Sequence, residues 1–399
     1  MTEIETLTAI VAKVMRVEDI TTGDPQKDYL VRYRGQIYGD TAEAYDRLAE
    51  QMRLFQITPM FRQDKDRHAI LLVPGIITAK PSNPLVNLIL FALTLLSVIL
   101  SGAIFASDSL SATNTKDLLL ELWRSLPKGI PFAVSLLAIL LAHEFGHYLA
   151  GRYHRTHVTL PYFLPFPLSP FGTLGAFIQL KEPPRNKRIL MDIGIAGPLA
   201  GLVVAIPILI YGLTLSKVEP ISLAPGQGFT LEGNSLLYLF SKFLVFGRLL
   251  PEPSSYGNLH PVLYWIRYFF TSQPLPLGGM DVMIHPVAWA GWAGLLVTAL
   301  NLIPAGQLDG GHLLYVLLGK RVRALWPFIL GILVLLGFVW TGWWLWAGLI
   351  FFLGRMYAEP LDQITPLDPP RKALALLGII IFFLVFTPVP LVQALAGGG

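Results

Sequence analysis

Apolar residues dominate the chain after residue 80 and form long runs there, whereas polar residues are concentrated before it. Residues 1–80 hold 23 of the 56 Asp, Glu, Lys and Arg side chains. A bilayer span needs about 20 apolar residues. Six later runs have a suitable length, namely 85–106, 131–151, 189–213, 287–304, 324–354 and 373–395. The pattern therefore predicts a polar N-terminal unit followed by a membrane-embedded body.

Three apolar segments leave the number of spans open. Residues 324–354 form a run of 31 residues, which is long for one span and short for two, and Thr341 and Gly342 offer a hairpin. Residues 236–250 and 261–270 are too short to cross a bilayer, so we interpret them as interfacial or re-entrant. The pattern predicts an all-α polytopic membrane protein with about six to eight spans or re-entrant segments.

The polar N-terminal unit has the pattern of a small α+β soluble domain. Residues 29–38 alternate between apolar and polar positions, as in a half-buried strand. Asp40 and Thr41 are suited to cap a helix over 42–54, and two short strands are expected within 60–73. We expect a packing or substrate-recruiting module without chemistry of its own. The predicted domains are this unit at 1–80, a first span with its connection at 81–130, a core at 131–320 and C-terminal spans at 321–399.

Composition excludes several classes of protein. The chain has 53% hydrophobic and 14% charged residues, against about 25% charged in soluble domains, so it is not an ordinary soluble protein. The net charge of +4 is small and no basic block is present, so nucleic-acid binding is not expected. Because there is no Cys, any metal must be bound by His and carboxylate side chains.

Basic residues in the connections predict the orientation of the body. Six Lys and Arg residues lie within 152–188, and three more lie within 320–323. Because Lys and Arg are enriched in cytoplasmic connections, we expect both segments in the cytoplasm. Following the spans backwards places the N-terminal unit there as well.

His143, Glu144 and His147 form an HEFGH motif inside an apolar run, where burying a charge costs about 3 kcal/mol or more. Two His side chains four residues apart lie on one helical face and can reach the same ion, while the Glu between them can reach a water bound to it. The alternative is that the histidines make interhelical hydrogen bonds and the Glu relays protons. The spacing favours a metal site.

A catalytic metal site of this kind needs a third protein ligand. His154 is near in sequence, but the longer pattern HExxHxxGxxH fails by one residue, so an interfacial position is favoured for it. Asp309 is the better candidate, because Pro304 and Gly306 interrupt the preceding helix, and irregular backbone is tolerated in a membrane beside a polar cavity. His312 is either a further contact of the site or a hydrogen-bonding residue.

The motif HEFGH followed by N-x-x-P-x-x-x-L-D-G at 301–310 resembles the site-2 protease family of intramembrane zinc metalloproteases. The stretches FGTLGAFIQ at 171–179 and DIGIAGPLAG at 192–201 make the cyanobacterial and plastid branch the most similar. Many bacterial relatives have a PDZ domain between the two motif helices. Residues 216–286 are too few and too apolar for such a domain.

The resemblance implies a single Zn²⁺ per chain, bound by His143, His147 and Asp309, with Glu144 as the catalytic acid and base. Asn301 matches a motif position that orients the substrate or an intermediate. The implied activity is hydrolysis of peptide bonds within or near transmembrane helices of single-span membrane proteins, in a bacterial plasma membrane or a thylakoid membrane. The rival functions are a membrane transporter or proton pathway that uses the same acids, and an inactive membrane scaffold.

Residues 172–180 are rich in Gly and in residues that favour strands. A substrate helix must be unwound before cleavage, and an unwound segment can pair with an exposed protein edge. We therefore predict that this segment, which includes Gly172 and Gly175, positions the substrate. The alternative is a loop packed against the core.

Three further patterns predict packing. Asp192 lies four residues after Arg188, so an ion pair on one helix is favoured at least as much as a catalytic role for Asp192. Gly197 and Gly201 form a GxxxG pattern, which lets their helix approach the metal-bearing helices closely. Four clustered tryptophans predict an aromatic belt at the membrane interface, namely Trp340, Trp343, Trp344 and Trp346.

Overall fold

The computed structural model describes residues 3–23, 28–77, 82–107, 114–221 and 228–395. Its N-terminal part is a four-stranded antiparallel sheet with two helices, and the strand order is β1-β2-β4-β3. The elements are α1 (Glu3–Val11), β1 (Met15–Thr22), β2 (Val31–Ile37), α2 (Thr41–Arg53), β3 (Ile57–Asp64) and β4 (Arg67–Pro74).

The local signals of the N-terminal part agree with this arrangement. The Asp40 carboxylate accepts hydrogen bonds from the backbone N–H groups of Ala42 and Glu43, at 2.8 and 3.2 Å, and so caps α2 as predicted. The apolar face of α2 packs on the sheet. The resulting core is separate from that of the body and includes Leu7, Val11, Tyr33, Leu48, Phe61 and Ile70.

The body is mostly helical. Its helices are α3 (Pro84–Phe105), α4 (Thr115–Tyr153), α5 (Lys187–Thr214), α6 (Leu236–Phe246), α7 (Pro261–Thr271), α8 (Pro286–Asn301), α9 (Asp309–Leu318), α10 (Trp326–Gly337), α11 (Gly342–Leu353) and α12 (Pro369–Val385). Among the described residues, α3, α4 and α5 are long and apolar enough to cross a membrane. The helix α4 has 39 residues, so it begins well before the predicted run 131–151.

The predicted all-α body is confirmed only in part, because the body is mostly helical but also contains three two-stranded antiparallel sheets. The strand β5 (Tyr162–Pro165) pairs with β6 (Thr173–Phe177), β7 (Lys217–Pro220) pairs with β9 (Met280–Met283), and β8 (Gly228–Glu232) pairs with β10 (Leu391–Leu395). Two-residue alternation in short segments is difficult to recognise within a generally apolar chain, which explains why β5 and β7 to β10 were missed.

Two predicted apolar runs have different limits in the structure. The run 324–354 is divided into α10 and α11, which pack against each other. The run 373–395 was predicted as one span, but α12 ends at Val385 and residues 391–395 form a strand. Pro388 and Pro390 lie between the helix and the strand, and neither can continue a helical hydrogen-bond pattern.

The segment between α11 and α12 joins the N-terminal sheet to the body. Phe61 on the edge strand β3 donates a backbone hydrogen bond to Leu361 and accepts one from Gln363, at 3.0 and 3.1 Å. On its other side, this segment donates from Leu361 and Asp362 to the carbonyl oxygens of Pro184 and Arg185, at 2.9 and 2.7 Å. Residues 361–363 thus lie between β3 and the start of α5.

The predicted interfacial belt of tryptophans was wrong for Trp343. Its side chain is 1% exposed, and its indole N–H donates to the Pro388 carbonyl oxygen at 2.6 Å. Trp344, the next residue, is 43% exposed, as expected of a residue at the surface of the helices. Adjacent helical positions face different directions, so the packing of α11 on the chain after α12 decides which indole is buried.

We expect Trp343→Ala to lower the free energy of unfolding by about 3 kcal/mol, because it leaves a large cavity and an unpaired carbonyl group. Thermal unfolding of the purified protein in detergent measures the loss. The matched control is Trp344→Ala, for which we expect a loss of about 1 kcal/mol or less. Equal losses for the two variants would contradict the assigned burial.

Candidate metal centre

Three side chains from two distant parts of the chain converge at one point. His143 and His147 lie one turn apart on α4, and Asp309 is the first residue of α9. The Nε2 atoms of the two histidines are 3.2 Å apart, and they lie 3.2 and 3.3 Å from the two carboxylate oxygens of Asp309. His143 and His147 are buried, and Asp309 is only slightly exposed.

These distances suit a single small cation. In a tetrahedral zinc site the nitrogen and oxygen donors lie 2.0–2.2 Å from the ion, which places neighbouring donors about 3.3 Å apart. The three donors also satisfy zinc chemistry, since imidazole and carboxylate are standard ligands and the protein supplies three of four positions. The donor set predicted from the sequence is therefore brought together by the fold.

The orientation of His147 is fixed by the neighbouring helix. Its Nδ1 lies 2.7 Å from the backbone carbonyl oxygen of Ile193 on α5, so Nδ1 carries the hydrogen and donates a hydrogen bond to this oxygen. The other nitrogen, Nε2, is then free to bind a cation. Hydrogen bonds of this kind hold a ligand in its productive orientation. A backbone acceptor has no side-chain signature, so the sequence did not reveal Ile193.

The predicted close approach of α5 is confirmed at Gly197. A Cβ atom added there would lie 2.0 Å from His147 Nε2, and one added at Gly201 would lie 3.1 Å from His143 Nδ1. The two histidines therefore pack directly against the backbone of α5. Close backbone packing also positions Asp309. The next residue, Gly310, lies so near the preceding chain that a Cβ atom there would be 1.9 Å from the Leu302 carbonyl oxygen.

Glu144 and two further predicted residues line the same cavity. This cavity has a volume of about 140 Å³. Glu144 is buried, and its carboxyl group interacts with the backbone of Ile178 just after β6. The Asn301 amide lies 3.2 Å from His143 Nε2. His312 is also buried, and within the described residues its Nδ1 has no hydrogen-bond partner.

Gly172 and Gly175 lie outside this cavity. The carbonyl oxygen of Gly172 accepts a hydrogen bond from the Ser97 hydroxyl group of α3 at 2.5 Å, so Gly172 packs against the body. Gly175 lies within β6, directly before Ala176, which does line the cavity. The cavity wall contributed by this segment consists of Ala176, Phe177, Ile178 and Leu180.

The predicted ion pair between Arg188 and Asp192 is absent, and Asp192 has other partners. Arg371 on α12 donates to both carboxylate oxygens of Asp192, at 2.7 and 2.6 Å. His154 at the end of α4 lies 2.8 Å from the same carboxylate. Asp192 thus connects three helices beside the metal centre, and His154 is not a metal ligand. Arg371 follows Asp192 by 179 residues, so no local spacing could indicate this contact.

The part of the chain that carries these residues matches a known protein family. A family model described as Peptidase family M50, the site-2 protease family, matches residues 131–339, which include the histidine pair and Asp309. The chain belongs to this family.

Its M50 relatives include plant proteins. A probable chloroplastic zinc metalloprotease EGY1 from Arabidopsis thaliana is 32% identical over 268 residues, which cover 65% of this chain and 43% of the relative. The protein of the same name from Oryza sativa subsp. japonica is 29% identical over 399 residues, which cover 92% of this chain and 63% of the relative. A probable chloroplastic zinc metalloprotease EGY2 from the same rice is 26% identical and covers 93% of this chain.

The M50 chain described here spans less than two thirds of the length of these relatives. No solved structure shows a significant match to it.

We expect Gly197→Ala to lower the zinc affinity of this M50 protein by about tenfold or more, because the added methyl group displaces the His147 imidazole. Metal analysis of the purified protein at a limiting free zinc concentration measures the change. Gly331→Ala on α10 is the matched control, since a Cβ atom there has no neighbour within 4 Å. Unchanged zinc binding in Gly197→Ala would contradict the close contact.

Proposed function

We propose that this chain is an intramembrane zinc metalloprotease that hydrolyses peptide bonds within or near transmembrane helices of single-span membrane proteins. The observation that carries the proposal is the convergence of His143, His147 and Asp309 with Glu144 in one buried cavity. Membership of the M50 family and the presence of apolar helices long enough to cross a membrane support it.

A bound zinc ion supplies a Lewis acid that polarises a carbonyl group and lowers the pKa of a water molecule. His143, His147 and Asp309 would hold it. Glu144 would act as the proton carrier, because it lies in the same cavity and is the HEFGH side chain that is not a ligand. It would take a proton from the attacking water and deliver it to the leaving amine nitrogen.

The surrounding residues prepare these groups for reaction. The Ile193 carbonyl group holds His147 in one orientation, and the side chains of His143, Glu144 and His147 are buried. The Asn301 amide is placed beside His143, where it could donate a hydrogen bond to a substrate carbonyl group. A transport function is disfavoured, because the acids are grouped around donors spaced for one tightly bound ion.

The substrate is proposed to bind along β6 as an added strand. In the described residues, β6 pairs with β5 on one side and has no strand on the other. An unwound substrate segment could satisfy its backbone there, as in other cases of strand addition. Ala176 to Leu180 lead into the cavity, so a peptide paired with β6 would reach Glu144 and the metal ligands. Gly175 has a positive φ of 103° and no nearby atoms facing its Cβ position, which leaves space for the substrate.

The orientation of the enzyme in its membrane is part of the same proposal. Lys and Arg residues in 152–188 and 320–323 support a cytoplasmic position for these segments. The N-terminal sheet contacts residues 361–363 beside the start of α5, so it would lie on the same side.

We expect Glu144→Gln to reduce cleavage by about 10³-fold or more while leaving zinc content unchanged, because the amide cannot carry the proton. Purified protein is reconstituted with single-span membrane peptides, and mass spectrometry of the products measures cleavage. Activity close to the native level in this variant would overturn the assignment of Glu144.

Asp309→Ala is the complementary variant, because it removes a proposed metal ligand rather than the proton carrier. We expect it to lose both zinc and cleavage. Full zinc content in Asp309→Ala would remove this residue from the ligand set.

We expect a photoreactive residue in place of Leu174 on β6 to crosslink a bound substrate in the Glu144→Gln background. Leu174 is 64% exposed, so its replacement should be tolerated. Leu168 is 86% exposed and lies in the turn between β5 and β6, which makes it a matched control. Crosslinks from position 168 but not from 174 would exclude strand addition along β6.

A further inference from the structure

A second buried group of ionisable side chains lies at the opposite end of α5 from the metal centre. We call residues 216–221 and 228–286 the distal cap, since they connect the end of α5 to the start of α8. The metal centre contacts α5 between Ile193 and Gly201, and α5 ends at Thr214, about 20 Å further along the helix axis. The group in the cap therefore takes no part in the proposed hydrolysis.

Four side chains form this group. Glu232 comes from β8, Tyr238 and Lys242 from α6, and Asp281 from β9. All four are buried, and the Lys242 side chain is 0% exposed. The Tyr238 hydroxyl group donates to Glu232 Oε1 at 2.7 Å. Three elements that are separate in sequence thus place two carboxyl groups and one amine in the same enclosed space.

Lys242 is incompletely paired. Its Nζ lies 3.7 Å from Asp281 Oδ1 and 4.5 Å from the centre of the Tyr238 ring, and within the described residues it has no hydrogen-bond partner. An ammonium group carries three donors, and a buried charge is costly unless it is closely paired. Lys242 therefore interacts with the cluster mainly through its charge, so the stability of the cluster depends on the protonation of its members.

The charge of the cluster is balanced only when it binds a proton. With both carboxyl groups ionised and Lys242 protonated, one negative charge is left without compensation in a buried place. With one carboxyl group protonated, the remaining carboxylate and the ammonium group neutralise each other. We propose that Glu232, Asp281 and Lys242 form a proton-binding site that fastens the distal cap to the body.

The electrostatic surroundings agree with this proposal. Burial, together with the charge of Asp281, raises the pKa of Glu232 above its ordinary value of 4.5. Burial likewise raises the pKa of Asp281. Tyr238 and Tyr268 also face these acids, and because burial raises the pKa of each phenol, both stay neutral. A raised pKa means that the closed cap holds a proton which an opened cap releases.

The other charged side chains in the described part of the cap are exposed to solvent, including Arg248, Glu252 and Arg267. Glu219 on β7 is the cross-strand neighbour of Asp281, but it is exposed to solvent, as is Lys217. The strand β10 and the halves of α5 and α12 nearest the cap contain no Asp, Glu, Lys or Arg. The charge balance is therefore set by Glu232, Asp281 and Lys242.

The cluster connects directly to the body. Gly233, next to Glu232, accepts a hydrogen bond from the Trp292 indole of α8 at 2.8 Å and donates one to the Pro390 carbonyl oxygen at 2.7 Å. The strand β8 that carries Glu232 also pairs with β10 after α12. Loss of the bound proton should therefore loosen the contact of the cap with α8 and with the end of the chain after α12.

The test is amide hydrogen exchange of the full-length, zinc-loaded protein in detergent, read by mass spectrometry for residues 228–246. After correction for intrinsic rates, we expect these amides to open at least about tenfold more readily at about pH 9 than at about pH 5. Protection is present at low pH and is lost as the pH rises through the pKa of the cluster.

Glu232→Gln keeps the shape of the protonated acid, so we expect it to abolish this pH dependence. The control Glu219→Gln should behave like the native protein, because its side chain is outside the cluster. Asp281→Asn removes the other buried acid and should also give a flat profile, so it replaces Glu232→Gln if that variant does not fold. The proposal would be overturned if amide opening in the native protein did not depend on pH. It would also be overturned if Glu232→Gln or Asp281→Asn kept the pH dependence of the native protein. Hydrogen exchange does not require the protein to cleave a substrate, so this test is independent of the proposed function.

Discussion

The metal centre depends on the contact between α4 and α5 at His147. The imidazole lies against the backbone at Gly197, and its Nδ1 hydrogen bonds to the Ile193 carbonyl oxygen. Because Gly197 has no side chain, α5 can approach the imidazole closely. The Ile193 carbonyl oxygen accepts a hydrogen bond from Nδ1, which leaves Nε2 to bind a cation. Without this contact the two histidines of α4 would still share a helical face, but His147 would not be held toward Asp309. The catalytic proposal therefore depends on a helix that supplies no metal ligand.

The membrane environment explains why the remaining polar residues occur where they do. A backbone in an apolar surrounding must satisfy its hydrogen bonds internally, so irregular segments are restricted to places where they line a cavity or are covered by protein. The connection from α8 to α9, which presents Asp309, and the sheet of β5 and β6 beside Glu144 are two such places. The residues proposed to carry out hydrolysis accordingly line one cavity between helices.

Both ends of α5 are connected to other parts of the molecule. At its start, Asp192 binds Arg371 of α12 and His154 of α4, and residues 361–363 join the N-terminal sheet to the segment before it. At its end, the distal cap contacts α8 through Gly233 and Trp292. The helix that orients His147 is thus restrained on both sides of the metal centre. A proton bound in the cap would strengthen one of these two restraints.

The sequence by itself determined the features that depend on local spacing and composition. HEFGH gave the histidine pair because four residues complete about one helical turn, Asp40 marked the start of α2, and the lengths of the apolar runs indicated the long helices. Two-residue alternation predicted β2, and two short strands were expected close to β3 and β4, whereas β1 was not predicted. Asp309 could be identified as a candidate ligand from the sequence because Pro304 and Gly306 mark a broken helix, and because the motif around it resembles that of a known family.

Tertiary structure decided the contacts between residues that are distant in the chain. Asp192 could have paired with Arg188, but Arg371, 179 residues further along the chain, donates two hydrogen bonds to it. Trp343 and Trp344 have the same chemistry, and only the packing of α11 buries the first. The cluster of Glu232, Lys242 and Asp281 has no spacing signal, because it forms where two strands and a helix meet. Such contacts depend on which faces pack together, and neither periodicity nor composition of a single segment contains that information.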